Sequence, residues 1–182
     1  ESPHRIRDLL EWGAVFDANV YSKGQFNQCH KLECHSWDLS KHYTHGDISF
    51  AFIDGWHSFA SVLREFEQID EYAAPGCIVT FHDTAKQPYT PQDLQAYRDA
   101  ANTNFNNLMA ESKPISSDNY HGDEQRQNFC VDEAIVYILD NYDYELLTIP
   151  VMTDEAHLDR APIYERGTTS PYNALVAIRK LP

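Results

Sequence analysis

The sequence predicts an α/β domain of the doubly wound kind, with a mostly parallel sheet and helices on both faces. Three observations lead there. Two short apolar runs, Ile48 to Ile53 (ISFAFI) and Cys77 to Phe81 (CIVTF), are rich in β-branched and aromatic residues. Such runs, bounded by turn residues, suit parallel strands covered on both faces. Between them Phe59, Val62, Leu63, Phe66, Ile69 and Ala73 recur at helical spacing, with Arg64, Glu65, Glu67, Gln68 and Glu71 assigned to the solvent side. Strand, amphipathic helix, strand is a βαβ unit. Finally, both runs lead into acid and imidazole groups: Asp54 with His57, then His82 with Asp83. Ligands gather beyond the carboxyl ends of the strands in open α/β sheets, so these two ends are read as one site.

The remaining elements follow in chain order. His4 to Trp12 reads as a helix with Ile6, Leu9 and Leu10 on one face, and Ala14 to Phe16 as a strand ending at Asp17. A doubly wound domain opens on a strand, so the chain is expected to begin in mid-fold, with its first strand and the following turn missing. A polar loop is expected from Asn19 to Gln28, a strand from Lys31 to His35, and a loop from there to Gly46. Cys29-His30 and Cys34-His35 raise the question of zinc, but their spacing fits no common finger or ribbon pattern. In an extended segment, positions 29 and 34 would also face opposite sides. Ala74-Pro75-Gly76 is a turn signal before the second strand.

Beyond Asp83 the texture becomes polar, and residues 85–128 read as an insertion. Within it, Thr90-Pro91-Gln92-Asp93 is a helix start with Thr as N-cap, Pro at N1 and Asp at N3. Leu94, Tyr97, Ala101, Phe105 and Leu108 then keep helical spacing, whereas Ser112 to Asn128 has no period. An insertion directly after a site-bearing strand is a candidate lid or acceptor-binding element, and a surface excursion without a role fits equally well. Val131, Ala134, Ile135, Ile138 and Leu139 mark a further helix, with Asp132 and Glu133 in its first turn, where the helix dipole favours negative charge. Glu145 to Val151 and Ala174 to Lys180 read as closing strands that form an antiparallel hairpin. Residues 1–182 are taken as a single domain.

Composition narrows the function. The 182 residues carry a formal charge of −14, which argues against nucleic acid as a partner, since phosphate-backbone binding needs clustered Lys and Arg. No apolar run approaches the ~20 residues that span a membrane, and no signal-peptide pattern opens the chain. Cys29, Cys34, Cys77 and Cys130 are read as reduced thiols in or near the core. The expectation is a cytoplasmic protein acting on a small molecule, with a homo-oligomer left open.

The stretch FIDGWHSFASVLREFEQIDEYAAPGCIVTFHDT resembles the core of the class I S-adenosylmethionine-dependent methyltransferases, whose sheet is Rossmann-like. Within them it is most similar to the branch of metal-dependent, macrocin-type sugar O-methyltransferases and relatives of cephalosporin hydroxylase. There one strand ends in Ile-Asp-Gly-x-His-Ser and the next in His-Asp-Thr or an acidic pair. The counterparts here are Ile53-Asp54-Gly55-Trp56-His57-Ser58 and His82-Asp83-Thr84.

The resemblance implies S-adenosylmethionine and a divalent metal as cofactors and a hydroxylated small molecule as methyl acceptor. By the same resemblance Asp54, His82 and Asp83 are metal ligands and His57 is the general base. Asp17 matches the position that holds the ribose hydroxyls, Ser36 and Asp38 fall where the adenine pocket is lined, and Asp54 also borders the cofactor. The family's glycine-rich turn has no counterpart beyond Glu1-Ser2-Pro3, which resembles its tail. His82 stands where some relatives carry Glu, and a mixed His and carboxylate set suits manganese, iron or zinc better than magnesium.

Elementary chemistry is compatible with these roles. A divalent ion lowers the pKa of a bound hydroxyl, and an imidazole accepts protons near neutral pH. Taken singly, Asp54 could merely cap the following helix, and either histidine could be a surface or strand-end residue. Three classes remain open: an O-methyltransferase, a metal-dependent hydrolase or hydroxylase, and a methyltransferase-like binding module without catalysis.

Overall fold

Among the described residues, a four-stranded sheet backed by helices positions the strand ends of interest. The computed structural model describes residues 18, 22–24, 29, 31–32, 34–85, 89–110, 130–147 and 174–182. The expected helix over 4–12, the strand over 14–16, Asp17 and the aperiodic stretch 112–128 lie outside them. The chain divides into two units, Glu1–Cys34 and His35–Pro182. In the first unit Ala18 and Ser22 are helical and Lys23 and Gly24 form a turn, so the polar loop expected from Asn19 is helical at Ser22.

The second unit opens with a 3₁₀ turn, Ser36–Asp38, and a short helix α1, Leu39–His42. Strand β1, Ile48–Ile53, leads to helix α2, Phe59–Asp70, and strand β2, Ala73–Thr84. Helices α3, Pro91–Ala110, and α4, Val131–Asn141, follow, and strands β3, Tyr144–Leu147, and β4, Ala174–Lys180, close the unit. The strand order is β1-β2-β4-β3. β1 and β2 are parallel, as the βαβ reading requires, while β4 runs antiparallel to both β2 and β3.

Three expectations are corrected here. Among the described strands one pairing of three is parallel, so the described part of the sheet is mixed where a mostly parallel one is expected. The described helices also share one face of it. Ile53, Val79, Phe81, Val176 and Ile178 pack with Phe59, Val62, Leu63 and Phe66 of α2 and Ala134, Ile135 and Ile138 of α4. On the alternate positions Phe50, Phe52 and Leu175 stay exposed. Last, Lys31, Leu32, Cys34 and His35 are not in a strand. At His35 the cause is local: its Nδ1 accepts from the Trp37 amide at 3.3 Å, starting the 3₁₀ turn that buries the indole. The expected loop from there to Gly46 therefore contains two short helical pieces.

Local chemistry explains the element boundaries. Ser58 caps α2 by accepting from the Ser61 amide at 3.3 Å. Thr90 and Asp93 cap α3 reciprocally: the Thr90 amide donates to Asp93 Oδ2 at 2.8 Å and the Asp93 amide to Thr90 Oγ1 at 3.1 Å. Ala74-Pro75-Gly76 is a bulge inside β2 rather than a turn before it. Ile48 pairs with Ala73 but Phe50 with Ile78, and Gly76 takes up the excess at φ +83°.

Phe66 centres the core, fully buried with its ring 5.1 Å from those of both Tyr142 and Tyr144. Phe66→Ala is expected to cost about 3–5 kcal/mol in urea unfolding, through lost burial and the cavity left behind. A loss below about 1 kcal/mol would mean that the surroundings collapse into the space.

Candidate functional site

The end of β1 and the end of β2 lie side by side, because Ile53 pairs with Phe81 in parallel register. Past those residues the chain supplies Asp54 to Ser58 on one side and His82 to Thr84 on the other. Consecutive side chains of a regular strand point to opposite faces, which would separate His82 from Asp83. A second irregularity changes this: pairing with β4 shifts register between Phe81 and Thr84, and Asp83 sits at φ +56°. Asp tolerates the left-handed region better than most residues, and strain of this kind gathers at functional sites.

Four expected residues meet as a result. His57 Nε2 lies 2.8 Å from Asp83 Oδ2. His82 Nδ1 lies 3.1 Å from Asp83 Oδ1 and 3.3 Å from Asp54 Oδ1. Each oxygen of Asp83 thus faces a different imidazole. Asp54, His57 and Asp83 each offer one ligand atom within 4.8 Å of the others, a spacing able to hold a metal ion. His82 touches both carboxylates but stands outside that triad, although the family resemblance had placed it, and not His57, among the ligands. Its Nδ1 is shut from solvent without a well-formed hydrogen bond. A polar atom shut from solvent without a well-formed hydrogen bond costs free energy, which a bound cation would offset. The helix-cap role considered for Asp54 is already filled by Ser58.

The expected cofactor residues are placed as follows. Asp17 lies outside the described residues. Ser36 donates its hydroxyl proton to Glu65 Oε1 at 2.7 Å, leaving its lone pairs to accept from a ligand. Asp38 pairs with Lys41 at 2.8 Å.

Helical spacing places Glu65 on the solvent face of α2, and the structure buries it. Its carboxylate lies against Gly55, where an added Cβ would come within 2.3 Å of Oε1. A side chain at position 55 would therefore displace the Glu65 carboxylate, which as placed lies between Ser36 and the Asp54-Gly55 turn. Helical periodicity alone could not show this, but the glycine after Asp54 was a usable signal of close approach.

Burial raises the Glu65 carboxyl above its ordinary value; the Ser36 hydrogen bond opposes this and the negative charge of Asp54 adds to it. The folded state thus keeps a proton that the unfolded chain has released. The associated stability is complete below the ordinary carboxylate range and is lost as pH rises through the folded value. Against Glu65→Gln, the wild-type protein should lose unfolding free energy as pH rises above the ordinary carboxylate range. Parallel curves for the two proteins would sink this account.

By sequence Asp132 is a favourable charge at a helix start. It is 2 % exposed and bonds outward, accepting the Ala85 amide on both oxygens at 3.1 and 3.0 Å and the Tyr89 hydroxyl as well. Burial raises its carboxyl. No sequence signal separates this role from ordinary helix-end chemistry.

Residues 7–84 match a family model described as a methyltransferase domain. The matched stretch is less than half of the chain and contains Asp54, His57, His82 and Asp83. It supports a methyltransferase domain, and with it methyl transfer as the class of chemistry. No curated protein and no solved structure matches the chain. No described helix is long and apolar enough to cross a membrane.

Proposed function

We propose that the protein is an S-adenosylmethionine-dependent O-methyltransferase acting on a hydroxyl of a sugar or another small metabolite, with a divalent cation at the acceptor site. One observation carries the reading. Two carboxylates and an imidazole from neighbouring strand ends lie within metal-binding distance of one another, inside the stretch that matches a methyltransferase domain.

The donor set fits the metal: hard carboxylate oxygens from Asp54 and Asp83, imidazole nitrogen from His57 or His82, and a buried His82 Nδ1 without a well-formed hydrogen bond. A bound divalent ion would supply acidification and orientation of the acceptor hydroxyl. S-adenosylmethionine would supply the electrophilic methyl group, with Ser36, Asp38 and Asp54 toward its adenosine end. Ser36 and the Asp54-Gly55 turn share the Glu65 carboxylate, so the cofactor and acceptor residues adjoin one wall.

In this reading His57 takes the hydroxyl proton at one ring nitrogen while Asp83 orients the ring. The triad of ligand atoms favours a second reading, with His57 as third ligand in place of His82.

Calorimetry of the chain with S-adenosylmethionine, with and without Mn²⁺, tests the proposal together with label transfer from the cofactor methyl group to a panel of polyhydroxylated small molecules. Cofactor binding and metal-dependent transfer are expected. Metal binding without cofactor binding would favour a metal-dependent hydrolase or hydroxylase. Binding of neither would leave a non-catalytic module.

A further inference from the structure

We propose that the first turn of α4 is a clamp that sets the distance between the two halves of this site, with Asp132 as its positioning residue. The inference rests on the reading of Asp54, His57, His82 and Asp83 as the functional cluster. The last parallel pair of β1 and β2 is Ile53 with Phe81. The pairing of the two strands ends there, yet His57 and Asp83 meet at 2.8 Å.

The start of α4 grips both segments. The Cys130 amide donates to the His57 carbonyl at 2.9 Å. Two residues on, the Asp132 carboxylate accepts the Ala85 amide, two residues past Asp83. One helical turn therefore bonds to the backbone of a site residue on one side and just behind a site residue on the other.

The chemistry suits a clamp. A carboxylate 2 % exposed is tolerable only when its oxygens are filled. Here they take the Ala85 amide and the Tyr89 hydroxyl, beside the positive end of the α4 dipole. Behind it Ala134, Ile135 and Ile138 are fully buried in the core, so the turn cannot drift. Held at Ala85, the chain keeps Asp83 in its left-handed conformation, which relaxation of the segment would otherwise release. Tyr89 extends the grip to the segment leading into α3, where its ring packs on Tyr97 at 5.6 Å.

The test uses the full chain carrying Asp132→Ala or Asp132→Asn, read by two signals. In the metal-free protein, nitrogen NMR of the His57 ring reports its contact with Asp83. In Asp132→Ala these ring signals should move and the Ala85 amide should lose hydrogen-exchange protection, while the α2 amide signals stay in place. Mn²⁺ affinity should fall on the order of 10–100-fold, as for other partners that orient metal ligands from outside. Asp132→Asn keeps an oxygen for Ala85 and should show a smaller change in the same direction.

Unchanged ring signals and Mn²⁺ affinity in folded Asp132→Ala would overturn the clamp. Should that variant not fold, Asp132→Asn decides: a partial shift supports the proposal and no shift overturns it. Should the wild-type chain take no Mn²⁺, the metal reading fails, and the ring signals still decide the clamp.

Discussion

Manganese or magnesium is expected to raise the unfolding temperature of the wild-type chain, and Asp83→Asn is expected to abolish that shift. An ion that binds only the native state stabilises by mass action, by about 2.7 kcal/mol at a hundred times its dissociation constant, and a chelator reverses the gain. Asp83 is the residue on which the cluster depends most, because its two oxygens face His57 at 2.8 Å and His82 at 3.1 Å. Asn keeps the volume and one oxygen but removes the charge. It is also among the few residues at ease in the left-handed region, so the backbone at φ +56° should survive the change. Alanine there would confuse loss of a ligand with collapse of the bulge. The comparison is thermal unfolding of both proteins with metal and with chelator. An Asp83→Asn protein that retains the full metal shift would remove Asp83 from the ligand set.

What the sequence made legible was the part governed by local pattern. The apolar run of β1, the apolar stripe of α2 and the Thr90-to-Asp93 capping box each encode their structure within a few residues, and each forms. Ala73, however, opens β2 instead of ending the stripe, and among the described residues β1 is covered on one face only. The clustering of the strand ends was legible because acid and imidazole recur at both, and parallel pairing brings them together.

What stayed hidden depends on residues far apart in sequence. Glu65 occupies a polar position of an amphipathic helix, and only the approach of Ser36 and Gly55 turns that position inward. Gly76 reads as a turn in isolation, and only its pairing with β1 makes it a bulge. His82 and Asp83, as neighbours on a strand, should diverge. That they converge depends on the positive φ of Asp83, held in place by contacts from a helix almost fifty residues later.

The same geometry leaves His57 with two candidate roles, and one substitution separates them. His57→Ala is expected to cut turnover by ~10²–10⁴-fold if the imidazole is the general base. The metal-induced thermal shift should then be unchanged, because Asp54, His82 and Asp83 still converge without it. If His57 is instead the third ligand, as its place with Asp54 and Asp83 within 4.8 Å allows, turnover and metal affinity should fall together. The wider pH dependence does not decide the matter, because the buried carboxyls Glu65 and Asp132 also titrate above their ordinary range and alter stability over the same interval. The decisive measurement is metal affinity of His57→Ala at one fixed pH, set beside its turnover. Loss of turnover with intact affinity assigns the base, whereas equal losses assign the ligand and leave His82 as the imidazole free to accept the proton.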